Sequence, residues 1–191
     1  MMKKQIHTYL NRYVQFSDED IAFFYTYLTP QTFQKKDFLL KEGEVCKFKF
    51  FISKGLIRTF NIDEKGHENI IHFGIENWWM TNMESFILEK PSLLYIQALE
   101  DTTVLTITKT NLEKAYVALP KLERIFRIIT EKMFIAIERK NEHYIKMSSK
   151  DRYYSFVEEL KNFSQRVPQY MIASYLDITP EYLSELRKAK K

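Results

Sequence analysis

The residues best placed by type and spacing to do chemistry run from Gln169 to Lys188, near the end of the 191-residue chain. Two short helices that cross steeply need a small residue where their backbones meet, and Ala173 supplies it. Four residues on, the chain must turn sharply, often at positive φ, and Asp177 is one of the few side chains that tolerate that region. Ile172, Leu176, Ile178, Leu183 and Leu186 supply five inward apolar positions. Thr179 is a good N-cap, and Pro180 at the first helical position loses only an N–H that would be unpaired anyway. The pattern predicts a helix-turn-helix, whose chemistry is hydrogen bonding and charge neutralisation on nucleic acid rather than bond breaking. An ordinary helical hairpin meets the same pattern, so context matters. Arg187-Lys188-Ala189-Lys190-Lys191 places four cations in the last five residues, beside the second helix. The bland role of such a tail, a solvated complement to a helix dipole, coexists with phosphate contacts.

Other reactive groups are sparse. Cys46 is the only cysteine, so an internal disulfide and thiolate-built zinc or iron-sulfur sites are excluded, and it reads as a buried small hydrophobe. His67 and His72 lie an odd number apart on a predicted strand and point to opposite faces, which argues against a metal-ligand pair. Glu158-Glu159 and Glu100-Asp101 read as a solvated helix face and a strand-end turn rather than acid-base pairs. Only 4 residues are glycine, so a glycine-rich phosphate loop is a poor fit. No catalytic residue, metal or cofactor is therefore expected. The start lacks the apolar core of a signal peptide and no stretch nears 18 apolar residues, so a cytoplasmic protein without membrane contact is expected. The formal charge of +4 permits an anionic partner without demanding one.

The elements that must position the C-terminal motif follow from periodicity. Ile6 to Leu28 has helical spacing, with Ser17 as an N-cap before Asp18, Glu19 and Asp20, and Pro30 ends it. Between Phe33 and Ile107 the pattern is strand-like and contains all four glycines. Phe48, Phe50 and Ile52 alternate with polar residues, and a turn at Lys54-Gly55 before Leu56 to Ile62 predicts a hairpin. Asp63 to Gly66 forms a second turn, and Leu94 to Ala98 and Thr103 to Ile107 read as later strands of a small antiparallel barrel or roll. Pro120 to about Met147 reads as one helix of roughly 40 Å, too long to bury its whole stripe on a small roll. Leu122, Phe126, Ile129, Met133 and Ala136 are its expected dimer contacts with a second copy. Helices over Asp151 to Phe163, Pro168 to Leu176 and Pro180 to Ala189 complete the chain, with a hinge at Met147 to Lys150.

With these motifs in order, the chain resembles the CRP/FNR superfamily of bacterial transcription regulators. The resemblance rests on Gly43-Glu44, Gly55-Leu56-Ile57-Arg58 and Asp63-Glu64-Lys65-Gly66 at the spacing of that roll, then the long helix, then the helix-turn-helix. The segment from Arg166 to Arg187 looks like a short branch that stops just after the recognition helix. The resemblance implies an α+β fold: a cyclic-nucleotide-binding-like antiparallel β-roll with flanking helices over 1–117, a dimerisation helix over 118–147, and a DNA-binding helix-turn-helix over 148–191. It implies a homodimer on double-stranded DNA, and RNA polymerase as a further partner of an activator.

The chain departs from that family in two places. Relatives that bind cyclic AMP hold the ribose with a Gly-Glu pair and the phosphate with an Arg about ten residues later; alignment puts Thr81-Asn82 and Ser92 there. Losing both anchors predicts no appreciable binding of cyclic AMP or cyclic GMP. Trp78, Trp79, Met83, Phe86 and Tyr95 stand in their place, a set that either fills its own pocket or takes a small apolar or aromatic effector. Family recognition helices commonly carry Arg after the cap and one turn later, where this chain has Pro180 and Glu185. Glu181 matches a family Glu able to accept from a cytosine amino group, and Ser184 and Lys188 face the same way as further base readers. Arg166, Tyr170, Thr179, Arg187 and Lys190 are the expected phosphate contacts.

Overall fold

The computed structural model describes residues 1–159 and 161–189. The N-terminal helical stretch is two helices, α1 (Met2–Leu10) and α2 (Asp18–Tyr25). Ser17 caps α2 as expected: its hydroxyl accepts from the Asp20 amide while the Asp20 carboxylate accepts from the Ser17 amide, a reciprocal capping box.

The roll has two four-stranded antiparallel sheets. Strands β1 (Thr29–Phe33), β3 (Phe48–Lys54), β6 (Trp79–Met80) and β8 (Thr102–Thr108) form one, in the order β1-β8-β3-β6. Strands β2 (Phe38–Leu40), β4 (Ile57–Ile62), β5 (Glu68–Gly74) and β7 (Tyr95–Ala98) form the other, in the order β2-β7-β4-β5. The short helix α3 (Met83–Leu88) joins β6 to β7.

The second predicted turn is confirmed, since β4 pairs with β5 across Asp63 to Gly66. The first is corrected. Strands β3 and β4 belong to different sheets and do not pair, so Lys54-Gly55 is a crossover between sheets rather than a hairpin. Gly55 has φ +110, and a Cβ there would fall 2.3 Å from Thr102 Oγ1 and 2.7 Å from its Cα. Close backbone approach to β8, not a hairpin turn, is what requires this glycine.

Strand β3 is also not a half-solvated strand. Phe50 and Ile52 enter the roll, where Ile52 meets Gly74 of the opposite sheet. Phe51 packs on Tyr9 of α1 and on Trp79, so the second face is covered too. One continuous core joins both faces of this sheet to α1, α2, α4 (Lys109–Ala118) and the start of α5 (Lys121–Lys146).

Helix α5 has 26 residues, close to the predicted bounds. Its apolar stripe divides. Leu122 and Phe126 lie inside the chain's own core, at 0% and 6% exposure, which corrects their assignment as dimer contacts. Ile129 is half-buried against the same core. Beyond it Met133 and Ala136 are exposed, together with Phe134, Ile137 and Ile145. Leu122 and Phe126 are buried because the first two turns of α5 pack on α4 and the roll before the helix runs clear of them.

Candidate nucleic-acid interface

The C-terminal head contains α6 (Ser149–Glu159), the short α7 (Lys161–Ser164), α8 (Gln169–Leu176) and α9 (Pro180–Ala189). Ala173 is 1% exposed where α8 meets α9. Asp177 ends α8 at φ 53, ψ 52, the left-handed conformation its position predicted. The Ile178 amide then donates to the Ala173 carbonyl at 3.0 Å, which closes the turn. Thr179 starts α9 by accepting from the Tyr182 amide at 3.2 Å. Ile172, Leu176, Leu183 and Leu186 are buried and Ile178 is half-buried, so the five apolar positions do face inward.

What remains outside is a polar helix face. Leu183 and Leu186 hold α9 to the head, and on the opposite side Glu181, Ser184, Glu185 and Lys188 fall at helical spacings of three and four, all exposed. Thr179, Tyr170 and Arg187 are exposed as well. Lys190 lies outside the described residues. Arg166 is placed elsewhere: its guanidinium donates to Glu76 at 2.8 and 2.9 Å and to Glu100, so it binds the head to the roll. In this arrangement Arg166 is not a free phosphate contact, because two carboxylates already occupy its donors. Burial pushes the Glu76 carboxyl up, but hydrogen bonds from Arg166 and from the Glu76 and Gly55 amides outweigh it and leave the group below its usual range.

Other ties hold the same joint. Strand β5 is an edge strand, and the Ser174 hydroxyl satisfies it by accepting from the Ile70 amide at 3.0 Å and donating to the Glu68 carbonyl at 2.9 Å. Lys140 of α5 donates to the Ile71 carbonyl at 3.2 Å and lies 4.0 Å from the Tyr175 ring centre. Tyr144 and Arg152 donate to the Tyr175 and Leu176 carbonyls at the end of α8. Phe73 packs on Phe163 and Tyr175 at the centre. Sequence reasoning missed this joint, whose one local signal was β5's outward Phe73.

The five-residue effector set is not brought together. Met83 and Phe86 line a cavity of about 850 Å³ under α4 and α5. Trp79 lies between Phe51 and Phe126, Trp78 is 46% exposed, and Tyr95 stacks on Phe60 on the sheet that faces the head. Sequence adjacency grouped them, whereas strand alternation and the two-sheet architecture send them to different faces. The residues aligned with the nucleotide anchors do meet. Asn82 caps α3 and donates from Nδ2 to Ser92 Oγ at 2.8 Å, and Ser92 Oγ in turn donates to the Leu94 carbonyl. Both are buried, so the chain closes on itself there. Cys46 is buried nearby, as expected.

Residues 30–118 match the cyclic nucleotide-binding domain family. Among curated proteins, the anaerobic regulatory protein of Pasteurella multocida (strain Pm70) is 28% identical over 170 residues, which cover 80% of this chain and 59% of that protein. The chain thus spans about three-fifths of that relative's length. Among solved structures, FixK2 from Bradyrhizobium japonicum superposes with a TM-score of 0.70 at 17% identity, over 85% of this chain and 83% of that one. The c-di-GMP-responsive global regulator CLP of Xanthomonas campestris gives 0.72 at 13% identity, over 91% of each chain. At these identities the structural likeness is one of fold. Residues 30–118 are thus similar to the cyclic nucleotide-binding domain family, and the whole architecture, a β-roll followed by C-terminal helices, is a CRP/FNR-like fold.

Proposed function

We propose that this chain is a cytoplasmic, homodimeric transcriptional regulator that binds a two-fold DNA operator and does not respond to cyclic nucleotides. The observation that carries the reading is the exposed α9 face, where Glu181, Ser184 and Lys188 stand opposite the two leucines that anchor the helix. In this reading those three meet base edges, while Tyr170, Thr179, Arg187 and Lys190 meet phosphates. Met133, Ala136, Phe134 and Ile137 on α5 pack against the same stretch of a second copy, which sets half-sites about one helical turn apart. Residues 1–117 serve as sensor, 118–147 as dimer helix and 148–191 as DNA-binding domain, with RNA polymerase as a partner of an activator. The Asn82–Ser92 hydrogen bond supports independence from cyclic nucleotides, since it occupies the two positions that would hold ribose and phosphate and offers no cation.

Anisotropy titrations of the full chain on a selected site test this reading. Lys188→Ala is expected to weaken binding, and Glu181→Ala to relax the preference at one base position. An unchanged consensus for Glu181→Ala overturns the base-reading assignment. Calorimetry is expected to detect no micromolar binding of cyclic AMP or cyclic GMP. A second reading, a head that keeps its packing but reads no DNA, draws on the exposed acids Glu181 and Glu185. Salt separates the two, because a DNA reader loses affinity steeply as salt rises.

A further inference from the structure

Lys49 sits where a solvated charge does not belong. It points from β3 toward the helices, on the same face as Phe51, and is 8% exposed. Among the described residues its ammonium is paired with no carboxylate: it approaches Met83 Sδ at 3.6 Å and lies 5.2 and 5.8 Å from the Phe86 and Phe126 ring centres. Two aromatic faces and a thioether lessen the cost of burying an ammonium but leave its charge without a counterion. Burial accordingly pushes its pKa down to about 8.

Those same three side chains line the cavity of about 850 Å³ that Leu112, Tyr116 and Met133 help to wall. Among the described lining residues Lys49 is the buried charge, whereas Glu113, Glu123 and Glu131 are exposed at the mouth. Lys109 pairs there with Glu89, and Arg127 with Glu131. The cavity lies outside the roll, on the opposite face of β3 from Phe50 and Ile52, so it is separate from the roll interior. Its floor is a cation and its walls are apolar and aromatic, which matches a ligand with one negative end and a hydrophobic body.

We propose that this cavity binds a small monocarboxylate, aryl or alkyl, with its charged end at Lys49 and its body against Phe86, Phe126 and Met83. Phe126 and Met133 belong to α5, so an occupant bears directly on the helix that continues to the head. Binding itself is measured without DNA and stands apart from the proposed DNA reading.

The test is calorimetry on the full chain at neutral pH with phenylacetate and with octanoate, each beside its primary amide. At least one acid is expected to bind at one site per chain, with its amide and the Lys49→Met variant each weaker by about tenfold or more. Phenylacetate alone points to an aromatic metabolite, octanoate alone to an acyl chain. The proposal is overturned if neither acid binds below about 1 mM, if acid and amide bind equally, or if Lys49→Met keeps full affinity. The acid-against-amide comparison on the unaltered chain decides the matter even where the variant does not fold.

Discussion

The roll meets helices on two sides, and the two contacts are built from different forces. On the β1-β8-β3-β6 side, Phe51, Leu122 and Ile125 are fully buried in a core that runs unbroken from the strands into α1, α4 and α5. On the β2-β7-β4-β5 side, Leu56, Phe60, Ile70 and Phe73 are the roll's buried share of the contact with the head. Around them stand polar ties: Ser174 on the edge of β5, Lys140 on Ile71, and Arg166 between Glu76 and Glu100. Apolar burial is indifferent to salt at low concentrations, while partly exposed ion pairs are screened and worth little each. The first contact is therefore expected to persist until the chain unfolds, and the second, with its screened polar ties, to open at lower cost. The proposed regulator needs such a joint between roll and head, because any effector acts only through unequal affinity for two arrangements.

The contrast is most strongly tested by core deletion. Phe51→Ala or Leu122→Ala is expected to cost about 3–5 kcal/mol in denaturant unfolding of the whole roll. Phe73→Ala, at the head contact, is expected to leave the roll's own unfolding less affected while freeing the head. Equal losses would erase the distinction between the two sides.

Next comes alkaline pH. Burial holds both Lys49 and Lys140 down at about 8. Their folded pKa values are below the unfolded ones, so between about pH 8 and 10.5 the unfolded chain binds more protons and stability rises with pH. Lys49, the more buried, contributes up to about 3 kcal/mol to that rise, and Lys49→Met is expected to remove its share in urea titrations at pH 7.5 and 10.

The smallest effects belong to the joint. Arg166→Ala removes a tie whose side chains are about a third exposed, 32% for both Arg166 and Glu76, and is expected to cost about 1 kcal/mol. Amides of α8 and the Ile70 amide are expected to exchange faster by about fivefold, with β3 and β8 unchanged. Glu76 is held below its usual range, so its contribution is present above about pH 4.3 and is lost as acidification passes its folded pKa. Scattering is expected to register an expanded chain there.

Legibility followed the same division between near and far. Ser17, Ala173, Asp177 and Thr179 were readable because a cap or a tight turn is decided by residues within four positions. The strands were readable as strands, but their partners were not. Lys54-Gly55 looks like a hairpin turn until β8 is brought beside it and Thr102 leaves no room for a side chain. Lys49 is one of the polar residues that alternate with Phe48, Phe50 and Ile52, and Phe51, which breaks the alternation, was the available sign that both faces are covered. Arg166 was assigned to phosphate by its nearness to the helix-turn-helix, yet its partners Glu76 and Glu100 lie 90 and 66 residues away. Two of the five dimer-stripe residues were misassigned for the same reason: Leu122 and Phe126 have the right period, and only the packed roll shows that it takes them first.

In the proposed function, α9 reads DNA as part of a two-fold dimer. Selection of bound sequences from a random duplex library with the purified full chain tests it most directly. The expected result is a palindromic consensus with half-sites about one helical turn apart, lost steeply as salt rises. Recovery of no consensus, or of an asymmetric one whose binding is indifferent to salt, would contradict it.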